Sequence, residues 1–163
     1  MPPEAAAMLS LYLMFDGRLD EALEEGRRAV ELFPHFDTAH LRRSYIASVH
    51  GAHDEAIAAG RAAADLSPGL PLMHTGLAAA MARAGQRDEA LEVIQRIESS
   101  TLPVPRALLA PAWLALGARE RALELLQAAA SDQSPYLHYA LADPRLIELR
   151  GDAAFERLRV IRL

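Results

Sequence analysis

Two histidines and an aspartate near residue 50 come closest to a chemical site in this sequence. His50 and His53 are three residues apart, and Asp54 follows directly. Imidazole and carboxylate groups are common zinc ligands. The two histidines flank Gly51, however, so they need not share one helix face, and no third imidazole is assured. We therefore expect ordinary surface histidines and no metal ion.

The sequence contains no other catalytic machinery. It has no Cys and, because all 17 basic residues are Arg, no Lys. Thiol nucleophiles, cysteine-bound metals and Schiff-base chemistry are thereby excluded. Glycine-rich phosphate loops and the metalloprotease and serine-hydrolase motifs are also missing. We predict that the protein is not an enzyme and uses no cofactor.

Charge and hydropathy argue against two further classes of partner. The chain has 17 basic and 22 acidic residues, a net charge of −5, and its arginines alternate with acids, whereas nucleic-acid binding needs a basic patch. The apolar stretch at residues 5–15 is too short to cross a bilayer and lacks the basic start of a signal peptide. We expect neither nucleic acid nor membrane as a partner, and a cytoplasmic location.

A repeat dominates the chain. Four segments align without gaps, each with a glycine, an acid three positions later and an alanine five positions later; they begin at Gly17, Gly51, Gly85 and Gly117. The first three glycines are 34 residues apart and the fourth follows after 32. This pattern resembles the tetratricopeptide repeat, a helix–turn–helix unit of about 34 residues.

The resemblance implies an all-α fold, a right-handed α-solenoid of about four repeats plus C-terminal capping helices in a single domain, 1–163. The repeats would be residues 3–36, 37–70, 71–102 and 103–134, followed by a capping tail, 135–163. Apolar periodicity, glycines and prolines predict helices at about 4–15, 19–32, 37–49, 54–66, 71–84, 88–99, 104–116 and 120–131. Pro111 falls inside the seventh of these and predicts a kink or a late start.

Recurring polar residues are interpreted as parts of the repeat. Acid pairs at 20–21, 54–55 and 88–89 start the second helices, which predicts helix capping and a favourable interaction with the helix dipole rather than acid–base catalysis. His40 and His74 occupy the aromatic position of the family, which predicts packed core histidines. The arginine pairs at 27–28 and 42–43 are predicted to be solvated.

The tail carries its own helix signals. Asp143 and Pro144 are typical of a capped helix start, Gly151 of a stop, and Asp152 of a second cap. The final amphipathic helix would bury three apolar residues, Phe155, Leu158 and Ile161. This closing pattern is similar to the ends of tetratricopeptide arrays in multidomain bacterial signalling proteins.

In the tetratricopeptide family, the first helix of each repeat lines a concave groove that binds partner segments. The resemblance places in that groove Met8, Leu11, Met14, Phe15, Leu41, Arg42, Tyr45, Val49, Thr75 and Arg83. Arg42 is the charged residue that would meet an acidic ligand there. Some family members clamp a terminal carboxylate with Asn and Lys, and this chain contains neither.

The leading hypothesis is a non-catalytic protein–protein interaction scaffold, a regulatory or sensory module of a signalling or transcription-regulating protein that binds a peptide or protein segment in its groove. Two alternatives stay open. The apolar first helix could mediate homodimer assembly or pack under a preceding repeat, or the Met- and Phe-lined entrance could receive a small apolar ligand.

Overall fold

The computed structural model describes residues 1–160, which form helices and connecting turns. Eight helices follow one another in antiparallel pairs: α1 (Pro3–Phe15), α2 (Leu19–Leu32), α3 (Asp37–His50), α4 (His53–Leu66), α5 (Pro71–Arg83), α6 (Arg87–Glu98), α7 (Arg106–Ala115) and α8 (Arg119–Ser131). Every end lies within two residues of its predicted position. The all-α solenoid expected from the repeat is therefore confirmed.

The glycine that opens each aligned segment makes the turn between paired helices. Gly17, Gly51, Gly85 and Gly117 have φ values of 81°, 90°, 81° and 81°. This left-handed region is accessible to glycine without the steric cost that a β-carbon brings. The recurring acids do lie in the first turns of α2, α4 and α6, but none of these helices has a side-chain cap. The predicted capping role was wrong.

Small side chains allow the paired helices to pack closely. The alanines five positions after the turn glycines, Ala22, Ala56, Ala90 and Ala122, are fully buried. At Gly60, an added β-carbon would lie 2.8 Å from Leu77 Cα and 2.9 Å from Leu77 N. The backbones of α4 and α5 thus approach each other so closely that only glycine fits.

The fourth repeat departs from the regular pattern at its first helix. α7 begins at Arg106, two residues later than predicted, and continues through the buried Pro111 to Ala115. Proline has no backbone N–H, so the helical hydrogen bond that residue 111 would donate to Ala107 is missing. Pro111 remains inside the helix as its sixth residue, so it does not account for the start being two residues later than predicted.

After α8, the tail forms three short helices. These are α9 (Leu137–Leu141), a 3₁₀ helix (Pro144–Leu149) and α10 (Ala153–Arg159). The Asp143 carboxylate accepts a hydrogen bond from Arg145 N at 2.8 Å, and the Asp152 carboxylate accepts bonds from Ala154 N and Phe155 N at 2.8 and 3.4 Å. Both predicted caps are confirmed.

The tail covers the end of the solenoid formed by α7 and α8. Leu146, Leu149, Phe155 and Leu158 are buried in a second core together with residues of those helices. Ile161, expected in the same cluster, lies outside the described residues. Within residues 1–160, no helix combines the length and the apolar composition needed to span a membrane.

Candidate functional site: a cavity between the concave face and the tail

A cavity of about 90 Å³ lies where the first helices of the repeats face the tail. Its wall combines leucines, tyrosines and charged side chains with two threonines and a glycine: Thr38, Leu41, Arg42, Tyr45, Leu72, Thr75, Gly76, Leu108, Tyr136, Tyr139, Asp143 and Arg145. A second, larger depression of about 450 Å³ shares Leu72 and Tyr136 with it.

The repeat itself positions one side of this cavity. Thr38, Leu41 and Arg42 of α3 have their 34-residue counterparts in Leu72, Thr75 and Gly76 of α5. Equivalent positions of successive repeats point in the same direction because each unit repeats the geometry of the last. The first helices therefore line the concave side.

Residues of the tail form the opposite side of the cavity. The Arg145 guanidinium stacks on the Tyr45 ring, with its central carbon 4.1 Å from the ring centroid. It also donates to Asp143 through Nη2 at 2.8 Å and through Nε at 3.1 and 3.2 Å to the two carboxylate oxygens. The side chains of Arg145 and Asp143 are only 7% and 2% exposed. The stacking of Arg145 on Tyr45 thus attaches the tail to α3, and the buried ion pair with Asp143 lies within the tail itself.

Arg42 has no such counterion in the described part of the chain. Its Nε is buried without a hydrogen-bond partner, and its guanidinium carbon lies 5.9 Å from the Tyr139 ring centroid. Burial lowers the pKa of the Arg42 guanidinium, and the neighbouring Tyr139, Tyr45 and Tyr136 partly oppose that shift. Arg42 is a half-buried cation faced by aromatic rings, and its Nε is fully buried.

Tyr45 is also isolated from water. Its hydroxyl is buried and makes no well-aligned hydrogen bond within the described residues, although it lies near the Asp143 carboxylate and the Arg145 guanidinium. Burial raises the pKa of the Tyr45 phenol well above its usual value, the Asp143 carboxylate adds to the rise, and the Arg145 guanidinium opposes it. Tyr45 is therefore a neutral hydrogen-bond donor at neutral pH.

The structure brings together only part of the groove predicted from sequence. Leu41, Arg42, Tyr45 and Thr75 line the cavity. Arg83 lies close to the charged pair of the tail, where burial and the Arg145 charge lower its pKa, and its Nε donates to Ser48 O at 3.3 Å.

The other predicted groove residues lie elsewhere. Leu11 and Met14 are buried in the main core. Met8 and Val49 are half-buried and pack against that core. Phe15 is 38% exposed at the end of α1.

Sequence reasoning missed the contribution of the tail. Tyr136, Tyr139, Asp143 and Arg145 line the cavity, yet the repeat pattern ends before them. Their visible signals were the helix start at Asp143 and an arginine two residues later. Neither indicates that the segment returns to α3.

An ionic cluster joins three helices outside the cavity. The Glu55 carboxylate of α4 accepts bonds at 2.6 and 2.9 Å from Arg27 of α2, and another at 2.9 Å from Arg43 of α3. The Arg27 hydrogen bond, with that of Arg43, lowers the pKa of Glu55 from 4.5 to about 2 against the opposing effect of burial. The prediction that the arginine pairs are solvated holds for the exposed Arg27 and Arg28 and is wrong for the partly buried Arg42 and Arg43.

The histidines have structural partners. His50 Nε2 lies 2.9 Å from Asp20 Oδ1, and no three His, Asp or Glu side chains within residues 1–160 are grouped closely enough to hold a metal. The Nε2 atoms of His40 and His74 lie 2.8 and 2.9 Å from the carbonyl oxygens of Pro34 and Pro68, six residues earlier in each case. His74 is buried, whereas His40 is only partly so.

The outer side of α1 exposes large apolar side chains. Leu9, Tyr12 and Phe15 are 38%, 64% and 38% exposed. They are spaced three residues apart and therefore fall along one side of the helix. The first helix is thus buried on one side and apolar but open on the other.

Comparison with known proteins supports the fold. A solved structure of a thermophilic TPR protein from Thermus thermophilus is similar to this chain, with a TM-score of 0.64 and 24% sequence identity over 87% of this chain and 81% of that one. No protein-family model and no curated protein matches the sequence. The chain has the tetratricopeptide repeat fold, an α-helical repeat solenoid.

Proposed function

We propose that this chain is a non-catalytic protein–protein interaction scaffold that binds a peptide or protein segment on its concave side, as a cytoplasmic module of a signalling or transcription-regulating protein. The observation that carries the proposal is the gathering of Arg42, Tyr45, Tyr136 and Tyr139 around one cavity. Tyrosine and arginine are the residue types most enriched at binding hot spots. The adjoining depression of about 450 Å³ offers room for the rest of a segment.

The fold supports this proposal because stacked helix pairs make an extended concave surface without any catalytic group. The similarity of the tail to the ends of arrays in bacterial signalling proteins supports the proposed parent. A segment would insert one side chain into the cavity and continue across Leu72 and Tyr136. Its affinity would come from a few anchors rather than from the whole contact area.

Selection of a displayed library of short random peptides on the purified chain tests the proposal. We expect a consensus sequence whose affinity falls by about tenfold or more in Arg42→Met, because a hot-spot contact contributes roughly 1.4 kcal/mol or more. Arg61→Met is the matched control, since Arg61 is exposed on α4. Peptides that bind wild type and Arg42→Met equally, with both variants folded, would contradict the concave site.

A second candidate function is homodimer assembly through the outer side of α1. The exposed Leu9, Tyr12 and Phe15 favour it, because contiguous exposed apolar residues mark interaction surfaces. Light scattering coupled to size-exclusion chromatography should then show a dimer that Tyr12→Glu converts to a folded monomer. A wild-type monomer across the accessible concentration range would exclude this function. Met14, buried at 2% exposure, is unsuitable for such a test.

A further inference from the structure

Three buried hydrogen-bond donors without partners lie around the same cavity. They are Arg42 Nε, Arg145 Nη1 and the Tyr45 hydroxyl. A buried polar group without a hydrogen bond costs free energy, and the cost is greater when the group is charged. Three such groups in one small space are unusual in a folded protein, where buried polar atoms are nearly always paired. They indicate that the cavity is built to hold an acceptor.

The charges around the cavity specify a monoanion. Asp143 offers both carboxylate oxygens to Arg145, so that these two formal charges cancel. Arg42 forms no ion pair with any other side chain of residues 1–160. One positive charge therefore remains at the cavity wall. A monoanion would neutralise this charge, whereas a dianion would leave one negative charge in the cavity without a counterion.

Size and lining restrict the anion further. A volume of about 90 Å³ is several times the roughly 10–15 Å³ that one water molecule needs, and it admits a carboxylate group with a short carbon chain. Leu41, Leu72 and Leu108 contribute apolar surface for that chain. The carboxylate oxygens would meet the arginine N–H groups, whose geometry suits this acceptor.

We infer that the cavity between α3, α5 and the tail is a binding site for a free short-chain monocarboxylate, with Arg42 and Arg145 holding the carboxylate, Tyr45 donating a further hydrogen bond, and the leucines covering the alkyl chain. The inference does not depend on the partner segment proposed above. Because Arg145, Tyr136 and Tyr139 belong to the tail, the bound acid would also tie the tail more firmly to α3.

Isothermal calorimetry at neutral pH and constant ionic strength, with butyrate as the probe and butanamide as its neutral counterpart, tests the inference. We expect saturable one-to-one binding of butyrate and weaker binding of butanamide, by about tenfold or more, because a charge-assisted hydrogen bond is lost. Arg42→Met should weaken butyrate binding by a similar factor. Tyr45→Phe should weaken it less, and the exposed-site control Arg61→Met should leave it unchanged.

A spectroscopic readout separates binding in the cavity from binding elsewhere. Butyrate should shift the ¹⁵N resonance of the Arg42 Nε–H group, which has no partner in the unliganded chain, and it should not shift that of Arg61. Absence of saturable binding, equal binding of the acid and the amide, or an undiminished affinity in a folded Arg42→Met variant would overturn the inference. Binding of selected acidic peptides without any binding of butyrate would also overturn it, while leaving the proposed scaffold function in place.

Discussion

The two ends of this solenoid are completed in different ways. At the C-terminal end, the tail buries Leu149, Phe155 and Leu158 against the last repeat. At the N-terminal end, α1 leaves Leu9 and Tyr12 in contact with solvent. A stack of repeats needs a polar surface at each end, because every internal unit is apolar on both sides. One end therefore has its cap, and the other presents a surface suited to a partner.

The distance between the backbones of neighbouring helices also differs between the first repeat and the middle of the stack. A β-carbon added at Gly26 of α2 would lie 3.7 Å from Arg43 Cα, an ordinary contact, whereas the equivalent Gly60 of α4 meets the Leu77 backbone at 2.8 Å. Packing is thus looser beside the open end than in the middle of the stack.

Truncation of one aromatic side chain at each end should give the largest difference in stability between the two ends. Phe155→Ala should lower the free energy of unfolding by about 3–5 kcal/mol, because it leaves a cavity where a fully buried ring was packed. Tyr12→Ala should change it by less than about 0.5 kcal/mol, because the ring is 64% exposed. Urea unfolding of both variants measures this. Equal losses would show that the ends are not different.

Substitution of the two equivalent glycines by alanine should give effects of opposite sign. Gly60→Ala forces the backbones of α4 and α5 apart and should destabilise the fold by roughly 1–3 kcal/mol. Gly26→Ala has room for the methyl group and should stabilise the chain by roughly 0.5–1 kcal/mol, because alanine is the better helix former. Thermal unfolding reports both. A destabilised Gly26→Ala would contradict the looser packing near the open end.

Acid titration of stability should reveal how much the ion pairs of Glu55 contribute to the N-terminal half of the solenoid. The pKa of Glu55 is lowered from 4.5 to about 2, so its ion pairs contribute fully above about pH 4.5 and are lost as the pH falls through 2. Above that range, Glu55→Gln should be less stable than wild type by on the order of 1–3 kcal/mol. The difference should shrink towards pH 2.

Glu89→Gln is the control for this titration, because Glu89 occupies the equivalent position of the third repeat and is exposed. Its stability should follow that of wild type across the acid range. A pH-independent difference between Glu55→Gln and wild type would show that the Glu55 ion pairs are not the source of the effect.

The regular part of the fold could be predicted because its determinants are local and repeated. The turn glycines, the buried alanines and the 34-residue spacing each specify the same helix pair several times over. The prediction succeeded within two residues even at α7, which continues through Pro111. The fold of such a sequence can be predicted because the local conformational preferences of its residues agree with the global fold.

The candidate site was only half predictable, for a physical reason. Leu41, Arg42 and Tyr45 could be placed on the concave side because the repeat dictates their direction. Arg145 could not, since its position depends on a long-range stacking contact with Tyr45 of α3. The repeat pattern also does not distinguish groove residues from core residues in the first repeat. Met14, which was predicted to line the groove, is buried in the core.

The return of the tail to the concave face is tested most directly by a double-mutant cycle between Tyr45→Leu and Arg145→Met. The stacked pair should show a coupling free energy of about 0.5–2 kcal/mol in urea unfolding. The same cycle with the exposed Arg61→Met should be additive within about 0.5 kcal/mol. Additive effects of Tyr45→Leu and Arg145→Met would contradict the contact, and with it the cavity that the tail completes.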